Sequence, residues 1–581
     1  MNKSKSLTKS LFLGQVEHQN LLPYPEMNSE EAETLRIVLE SIDKFMGPKS
    51  EDFFKYDKKG EQPEKYINDL KGLGLFGLII DEEFGGLGFS NSAYARVIQQ
   101  TSGYDASTSL TIGAHSSIGM KGLLLYGDKK QKKKYLPKLA SGDSIAAFCL
   151  TESGAGSDAA SISTKAEKQK DGSWKLNGEK IWITNGAFAD FFTVFAQTDP
   201  KHSADKKGKM TAFIVERGFG GVESGPKEDK MGIRASATTT ISFNDVKIPK
   251  TCVLGEVGEG FKVAMAILNN GRTGLGGGAV GAMKRCINLS TRQAIDRKQF
   301  GQSISDYGLI QEKITQMTVN CFATESIVGL VGHYIDSDSE DYSIEAAISK
   351  IFASEALWET ANMALQIAGG NGFMKEFQYE KIVRDSRINL IFEGTNEILR
   401  LYVALSCLKD VGQNLKESVG AISNLLSDPG NGLKTLGNLG SRKFSQVTYL
   451  GRPKVEGLNS ALSKEEKVLT THCLDLARAS ESLVAKHKKG IIERQFELKR
   501  LANIAIDLVI GFSVLSRVSS MIEEKGANEC QSEIDIASIF TEQASVRIDI
   551  ELDALKYNQD EKVSGLAKKI IDDEGYRWDT V

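Results

Sequence analysis

The chain has 581 residues, 41% hydrophobic and 25% charged, with a formal net charge of −4. At roughly 100–200 residues per domain, that length accommodates about three to five domains of ordinary soluble, globular composition. The slight negative balance offers no basic footprint for nucleic acid.

The seven cysteines, at 149, 252, 286, 321, 407, 473 and 530, are scattered, odd in number and form no CxxC pair. The six histidines show no HExxH or other paired spacing. The cysteines point to a reducing compartment and away from a zinc site or a disulfide framework, and the histidine spacing points away from a metal site. The N-terminal stretch MNKSKSLTKSLFLGQ lacks the apolar run and cleavage site of a secretory signal, and it has no arginine to suggest a transit peptide.

Up to about residue 147 the pattern is helical. Leu35, Val38, Leu39, Ile42 and Phe45 recur at helical spacing behind Asn28, Ser29 and a run of glutamates that suits a helix start. ARVIQQTSG and residues 108–126 continue that texture. From 148 to 258 the chain changes to short β-branched and aromatic runs, WKLNGEKIWITNG, FFTVFAQT, MTAFIVE and TTTISFNDVKIP, punctuated by turn dipeptides. They predict a compact antiparallel β-domain.

From 259 to 426 helices return. Ile310, Ile314, Met317 and Cys321 form one apolar stripe, and long helices packed as a bundle are expected. Residues 427–581 begin with a break, SDPGNGLKTLGNLGSRKF, and continue as an additional helical unit. Its apolar window LANIAIDLVIGFSVLSRV carries Asp507 inside, which favours a buried helix over a membrane span. Between 431 and 455 lie Lys434, Arg442, Lys443, Arg452 and Lys454 with no acidic residue. This is a solvated linker or a contact with a membrane surface or partner.

Several stretches could carry chemistry. In AFCLTESGAGSDAAS, residues 147–161, small residues and hydroxyls follow an apolar run, as in a loop that brings backbone N–H groups to an anion or in a plain turn. In KIWITNG, Trp182 either stacks on a planar ring beside Thr184 or fills the core. In DRKQFGQ, Arg297 and Phe300 lie three apart, on one face if helical, and offer a cation and an aromatic ring. QIAGGNGF packs three glycines into five positions. In RDSRINLIFEGTNEILRLY, Glu393 stands between Phe392 and Gly394 just before a helix that Thr395 or Asn396 can cap. A carboxylate there is either ordinary helix-end chemistry, favoured by the dipole, or a tuned proton acceptor.

In this order, CLTESGAGSD, WITNG, MGIRASATTTISFNDVKIP, RKQFG, QIAGGNGF and IFEGTNEILR closely resemble the acyl-CoA dehydrogenase family across nearly the whole chain. FLGQ, GAHSSIGMKGLLLYG, LNNGR and VAKHKKGIIERQFELKRLANIAIDL look most like its very-long-chain branch. The resemblance implies a helical N-terminal domain, a β-barrel-like middle domain and a four-helix bundle, followed by an extra C-terminal helical domain. It implies FAD-dependent α,β-dehydrogenation of a long acyl-CoA to the trans-2-enoyl-CoA, with electrons passed to an electron-transferring flavoprotein. It also implies a homodimer. The expected location is the cytoplasm in a bacterium, free or beside the inner membrane, or the mitochondrial matrix side in a eukaryote.

By the same resemblance Glu393 is the base, and its backbone N–H helps bind the thioester oxygen. Gly394 gives the substrate access. Phe148, Leu150, Thr151, Trp182 and Thr184 match the flavin-ring contacts. Ser157 matches a pyrophosphate and CoA contact. Arg297, Phe300 and Gln311 match residues that reach the FAD of a neighbouring subunit. Gln366 and Gly370 match the adenine half, and Thr395 and Glu397 the cofactor's phosphate and adenosine side. Arg272 lies near the substrate. Some family members carry the catalytic Glu beside that arginine, but here the neighbour is Gly271. Two departures stand out: Ser153 replaces a frequent proline and Thr273 a frequent aromatic residue. An acyl-CoA oxidase that uses oxygen is the alternative activity. An assembly scaffold for respiratory complex I, with residual dehydrogenase activity, is the alternative role. The small residues of TSLTIGAHSSIGM, 108–120, either leave room for a long acyl tail or let helices pack closely.

Overall fold

The computed structural model describes residues 6–199, 209–337, 339, 341–423 and 451–580. The break at 427–444 and the basic residues Lys434, Arg442 and Lys443 lie outside the described residues. The chain forms two compact bodies. One is Pro25–Ile398; the other joins the residues up to Tyr24 to those from Leu399 on.

The first body begins with short helices. Asn28 caps Ser29–Met46 by accepting from the Glu31 N–H at 2.8 Å, and Glu30 and Glu31 complement the helix dipole. Leu35, Ile42 and Met46 turn inward. The stretch 108–126 is helical but not uniformly so. A π turn, Ala114–Gly119, separates Ala106–Gly113 from Lys121–Tyr126.

The middle of the chain is an eight-stranded sheet. Its order is Val222–Lys227, Thr238–Ile248, Trp174–Thr184, Lys165–Lys168, Phe191–Asp199, Lys209–Glu216 and Val253–Leu254. Most pairings are antiparallel, as expected. Two are not: Ala146–Cys149 and Lys165–Lys168 both run parallel to Phe191–Asp199. The reason lies in FFTVFAQ, which is buried on both faces. A strand covered on both sides can take a parallel neighbour delivered by a crossover, whereas a half-exposed one is usually joined by a hairpin.

Three long helices follow: Gly260–Asp296, Gly308–Asp336 and Ser343–Ala368. The first carries the run GRTGLGGGAVGA, and each helical glycine costs up to about 1 kcal/mol relative to alanine. Close packing explains why they are tolerated. A Cβ at Gly277 would lie 2.5 Å from the Ala95 carbonyl oxygen, and one at Gly281 would overlap that of Gln99. The helix therefore meets Asn91–Tyr104 backbone to backbone. The fourth helix of the expected bundle, Asn396–Ser423, starts at the last residues of this body and continues into the other.

In the second body Leu7–Phe12 is buried with the long helices Ser463–His487 and Gln495–Lys525. Gln531–Lys556 and Asp560–Asp572 complete it. Gln495–Lys525 is long and apolar enough to cross a membrane, but 89% of its most apolar window is buried in the protein. The buried Asp507 is held by Arg547, Nη2 to Oδ1 2.6 Å. None of the seven cysteines forms a disulfide among the described residues.

Candidate functional site

The chain leaves the helix Gln378–Arg387, makes a short turn at Ile388–Leu390 and arrives at Glu393 with φ +56. Gly394 follows at φ +94. A left-handed backbone at a non-glycine residue costs about 1–3 kcal/mol and persists only where the surroundings impose it. The next helix starts at Asn396, and Thr395 is the residue that caps it, its Oγ1 accepting from the Ile398 N–H at 3.4 Å. Asn396 instead points inward.

Glu393 is half-buried as a whole, but its Oε2 is closed to solvent and accepts no hydrogen bond. Burial raises its pKa above the usual carboxylate value, with Arg272 and Lys350 opposing. Gly271 gives the carboxylate room: a Cβ there would lie 3.4 Å from Oε1 and 3.0 Å from Ile118 Cγ2. A longer side chain at 271 would thus compete for the space Glu393 now occupies. Arg272, 5% exposed, donates from Nη1 to Asn269 Oδ1 at 2.6 Å and from Nη2 to the Glu393 carbonyl at 3.4 Å.

Beneath the turn lies Lys350, which sequence reasoning missed. It is fully buried and donates to the Gly394 carbonyl and to Asn396 Oδ1, both at 2.8 Å. Burial lowers its pKa to about 8, against the pull of Glu393. Its one legible signal is a lone cation in the apolar run AAISKIFASEAL.

One helical turn from Gly271, Gly274 lies against Tyr94, whose Cε1 would be 3.0 Å from an added Cβ. The Tyr94 hydroxyl is buried and would lie 3.8 Å from a Cβ at Gly113. Within 108–120 the close-packing reading has a direct observation. Gly119 allows close packing, since its Cβ would sit 2.7 Å from the Ala114 carbonyl, while Gly113 faces more open space.

The candidate cofactor contacts fall into groups. Phe148 is half-buried on the strand Ala146–Cys149, and Leu150 is buried just beyond it. The Thr151 carbonyl accepts from the Ile181 N–H at 3.0 Å, which places this loop beside Trp182. The core-filling reading of Trp182 is overturned: it is 64% exposed. The sheet register shifts between Lys180 and Ile183, and Trp182 takes φ +57, so a bulge turns the indole outward. Thr184, half-buried, follows two residues on. A missed pair braces the loop, with Lys180 Nζ 2.7 Å from Glu152 Oε1, both buried. Ser157 is exposed, and a Cβ at Gly154 or Gly156 would meet nothing within 4 Å.

Arg297 and Phe300 do not share a helix face. The long helix stops at Asp296, and Lys298–Gln299 pairs with Gln302–Ser303 in a tight hairpin. Phe300 at φ +53 and Gly301 at φ +87 make the turn, which leaves Phe300 95% exposed. Gln311 bonds the Ser305 carbonyl at 3.1 Å behind it. Gln366 lies exposed in the last turn of its helix, its carbonyl accepting from the Gly369 N–H, and Gly370 has an open flank. Glu397 is exposed in the first turn of its helix.

An outward indole, a half-buried Phe148 and an open glycine and hydroxyl loop suit a large planar group with an anionic tail. The residues present therefore fit FAD.

Family profiles described as acyl-CoA dehydrogenase N-terminal, middle and C-terminal domains match residues 31–143, 147–246 and 258–408. One described as ACAD9/ACADV, C-terminal domain, matches 460–576. The chain is 45% identical over 552 residues to the mitochondrial very long-chain specific acyl-CoA dehydrogenase of Macaca fascicularis, covering 94% of this chain and 83% of that protein. It is 37% identical over 511 residues to a probable acyl-CoA dehydrogenase of Bacillus subtilis, covering 84% and 81%. A crystal structure of an acyl-CoA dehydrogenase complexed with FAD from Bacillus anthracis superposes with a TM-score of 0.81 at 30% identity, covering 96% of this chain and 94% of that one. The fold, the turn around Glu393 and these matches agree, and the chain belongs to the acyl-CoA dehydrogenase family.

Proposed function

We propose that this protein dehydrogenates long-chain acyl-CoA thioesters between Cα and Cβ, with Glu393 as the base. The observation that carries the reading is the Glu393 carboxylate itself, buried, raised in proton affinity and without a hydrogen-bond partner at Oε2. An acceptor of this kind takes a proton from a weak carbon acid better than a solvated carboxylate does.

Bound FAD supplies the hydride acceptor for Cβ. The chain's residues do the rest. The Glu393 carboxylate takes the α-proton, and the electron pair left on Cα becomes part of the Cα=Cβ bond as the β-hydride departs. The Glu393 N–H stabilises the charge that grows on the thioester oxygen. Gly394 leaves the approach open. Trp182, Thr184, Phe148, Leu150 and Thr151 hold the flavin ring, and Ser157 meets the pyrophosphate and CoA side. Gln366, Gly370, Thr395 and Glu397 meet the rest of the cofactor.

The exposed Arg297 and Phe300, with Gln311, reach the FAD of a second copy, so the working unit is a homodimer. The likeness to very long-chain specific relatives supports a long acyl chain. Electrons pass to an electron-transferring flavoprotein in the matrix of a mitochondrion or the cytoplasm of a bacterium.

The test is an anaerobic titration of the yellow protein with saturated acyl-CoAs from butyryl to eicosanoyl, beside Glu393→Gln. Long-chain thioesters bleach the wild-type flavin and leave the variant yellow. A wild type that holds FAD and is bleached by none of them defeats the reading. Oxygen uptake without an added acceptor would point to an oxidase instead.

A further inference from the structure

We propose that Lys350 is the positioning residue for the base: it holds the peptide after Glu393 and the Asn396 side chain, and so aims the Glu393 carboxylate at the substrate. The inference rests on the reading of Glu393 as the base.

A lysine buried to this degree is costly, and an apolar residue of similar length would fill the volume at lower cost. Its hydrogen bonds go to neutral oxygens, the Gly394 carbonyl and Asn396 Oδ1. What it holds is a turn that needs holding. Glu393 and Gly394 are both left-handed, and a glycine peptide has other conformations within easy reach. A bond to the Gly394 carbonyl fixes the plane of that peptide. Asn396 is gripped from its other end as well. Its Nδ2 donates to Ser354 Oγ and to Glu355 Oε1, each at 3.0 Å. Ser354 follows Lys350 by one helical turn, so a single face of Ser343–Ala368 carries the turn.

Charge adds a second consequence. Arg272 on Gly260–Asp296 and Tyr94 on Asn91–Tyr104 face Glu393. Glu355 on its own helix, Glu397 beyond the turn, and Glu393 and Arg272 all act on Lys350. Of these groups, Lys350 and Arg272 hold the proton affinity of Glu393 down against burial. Removing the Lys350 charge raises it further, and a base that must be ionised then works only at higher pH.

Three variants separate geometry from charge. Lys350→Met removes donor and charge, Lys350→Gln keeps a donor without the charge, and Ser354→Ala loosens Asn396 without touching any charge. Each is checked for bound FAD, then assayed for kcat, KM and pH dependence with the acyl-CoA that best reduces the wild type. The expected result is a kcat lowered about 100-fold in Lys350→Met, less in Lys350→Gln and a few-fold in Ser354→Ala, with KM within about twofold. The acid limb of kcat/KM moves to higher pH in both Lys350 variants and stays in place in Ser354→Ala. Wild-type kcat with an unmoved limb in folded Lys350→Gln overturns the proposal, as does a change confined to KM.

If Lys350→Met fails to fold, Lys350→Gln and Ser354→Ala decide. An infrared titration of the buried carboxyl band, assigned by its loss in Glu393→Gln, needs no turnover. The band titrates at higher pH in Lys350→Gln, and an unshifted band overturns the charge role. A wild type that no acyl-CoA bleaches defeats the dehydrogenase reading alone, and the infrared result still judges Lys350.

Discussion

Two buried lysines in the same body lead opposite lives. Lys381 lies between Asp105 Oδ1 at 2.9 Å and Asp385 Oδ2 at 2.7 Å. The remaining oxygens are used too, Asp105 Oδ2 by the Thr108 N–H and hydroxyl, Asp385 Oδ1 by the Ile233 N–H. Burial alone would lower the Lys381 pKa, yet the two carboxylates raise it. Around Lys350 the circuit is left open. The lysine bonds neutral oxygens, its pKa falls to about 8, and the carboxylate above it keeps Oε2 unpartnered. A closed cluster of this kind is an anchor that resists disruption. An open one carries a standing cost, and such sites are where proton chemistry is found.

The largest test of this contrast is Glu393→Gln. Turnover falls about 1,000-fold or more while FAD stays bound. Stability moves the other way. The folded-state pKa of Glu393 lies above its unfolded value, so ionisation costs stability as pH rises past the ordinary carboxylate range. The variant therefore matches or exceeds the wild type in thermal midpoint at neutral pH and loses that advantage in acid. A large drop in midpoint would erase the difference between the two clusters.

Lys381→Met is the mirror experiment. It strands two buried carboxylates and costs roughly 3–5 kcal/mol, read as an early shift in urea unfolding. Gly271→Ala sharpens the comparison, because its Cβ would press on Ile118 and approach Glu393 Oε1. Turnover falls roughly 10- to 100-fold with FAD content unchanged. Trp182→Ala is the mildest. The exposed indole contributes little to the fold, so the midpoint of the FAD-free protein holds, while FAD affinity drops about tenfold by equilibrium dialysis.

Much of the plan was legible in the residues. Helical spacing in 35–45, the aromatic and β-branched runs after 148 and the stripe from Ile310 to Cys321 marked helices and strands where they occur. Glu393 in IFEGTNEILR was visible as a carboxylate between phenylalanine and glycine just before a helix, a position that ordinary helix-end chemistry also explains. The motifs on the flavin side were visible as small-residue and aromatic clusters.

Their geometry was less legible. Trp182 reads as core until a bulge reverses its face, and Arg297 and Phe300 read as a helix face until two left-handed residues make a hairpin.

By itself the sequence determined the order of textures, the family motifs and which glutamate stands before the last helix of the bundle. These depend on residues close along the chain, where periodicity, capping and turn chemistry act. Only the tertiary structure decided that Glu393 Oε2 would be left without a partner and that Lys350 would reach the turn from 44 residues away. Burial and proton affinity depend on which distant atoms remove water and which return a hydrogen bond, and no local pattern records either.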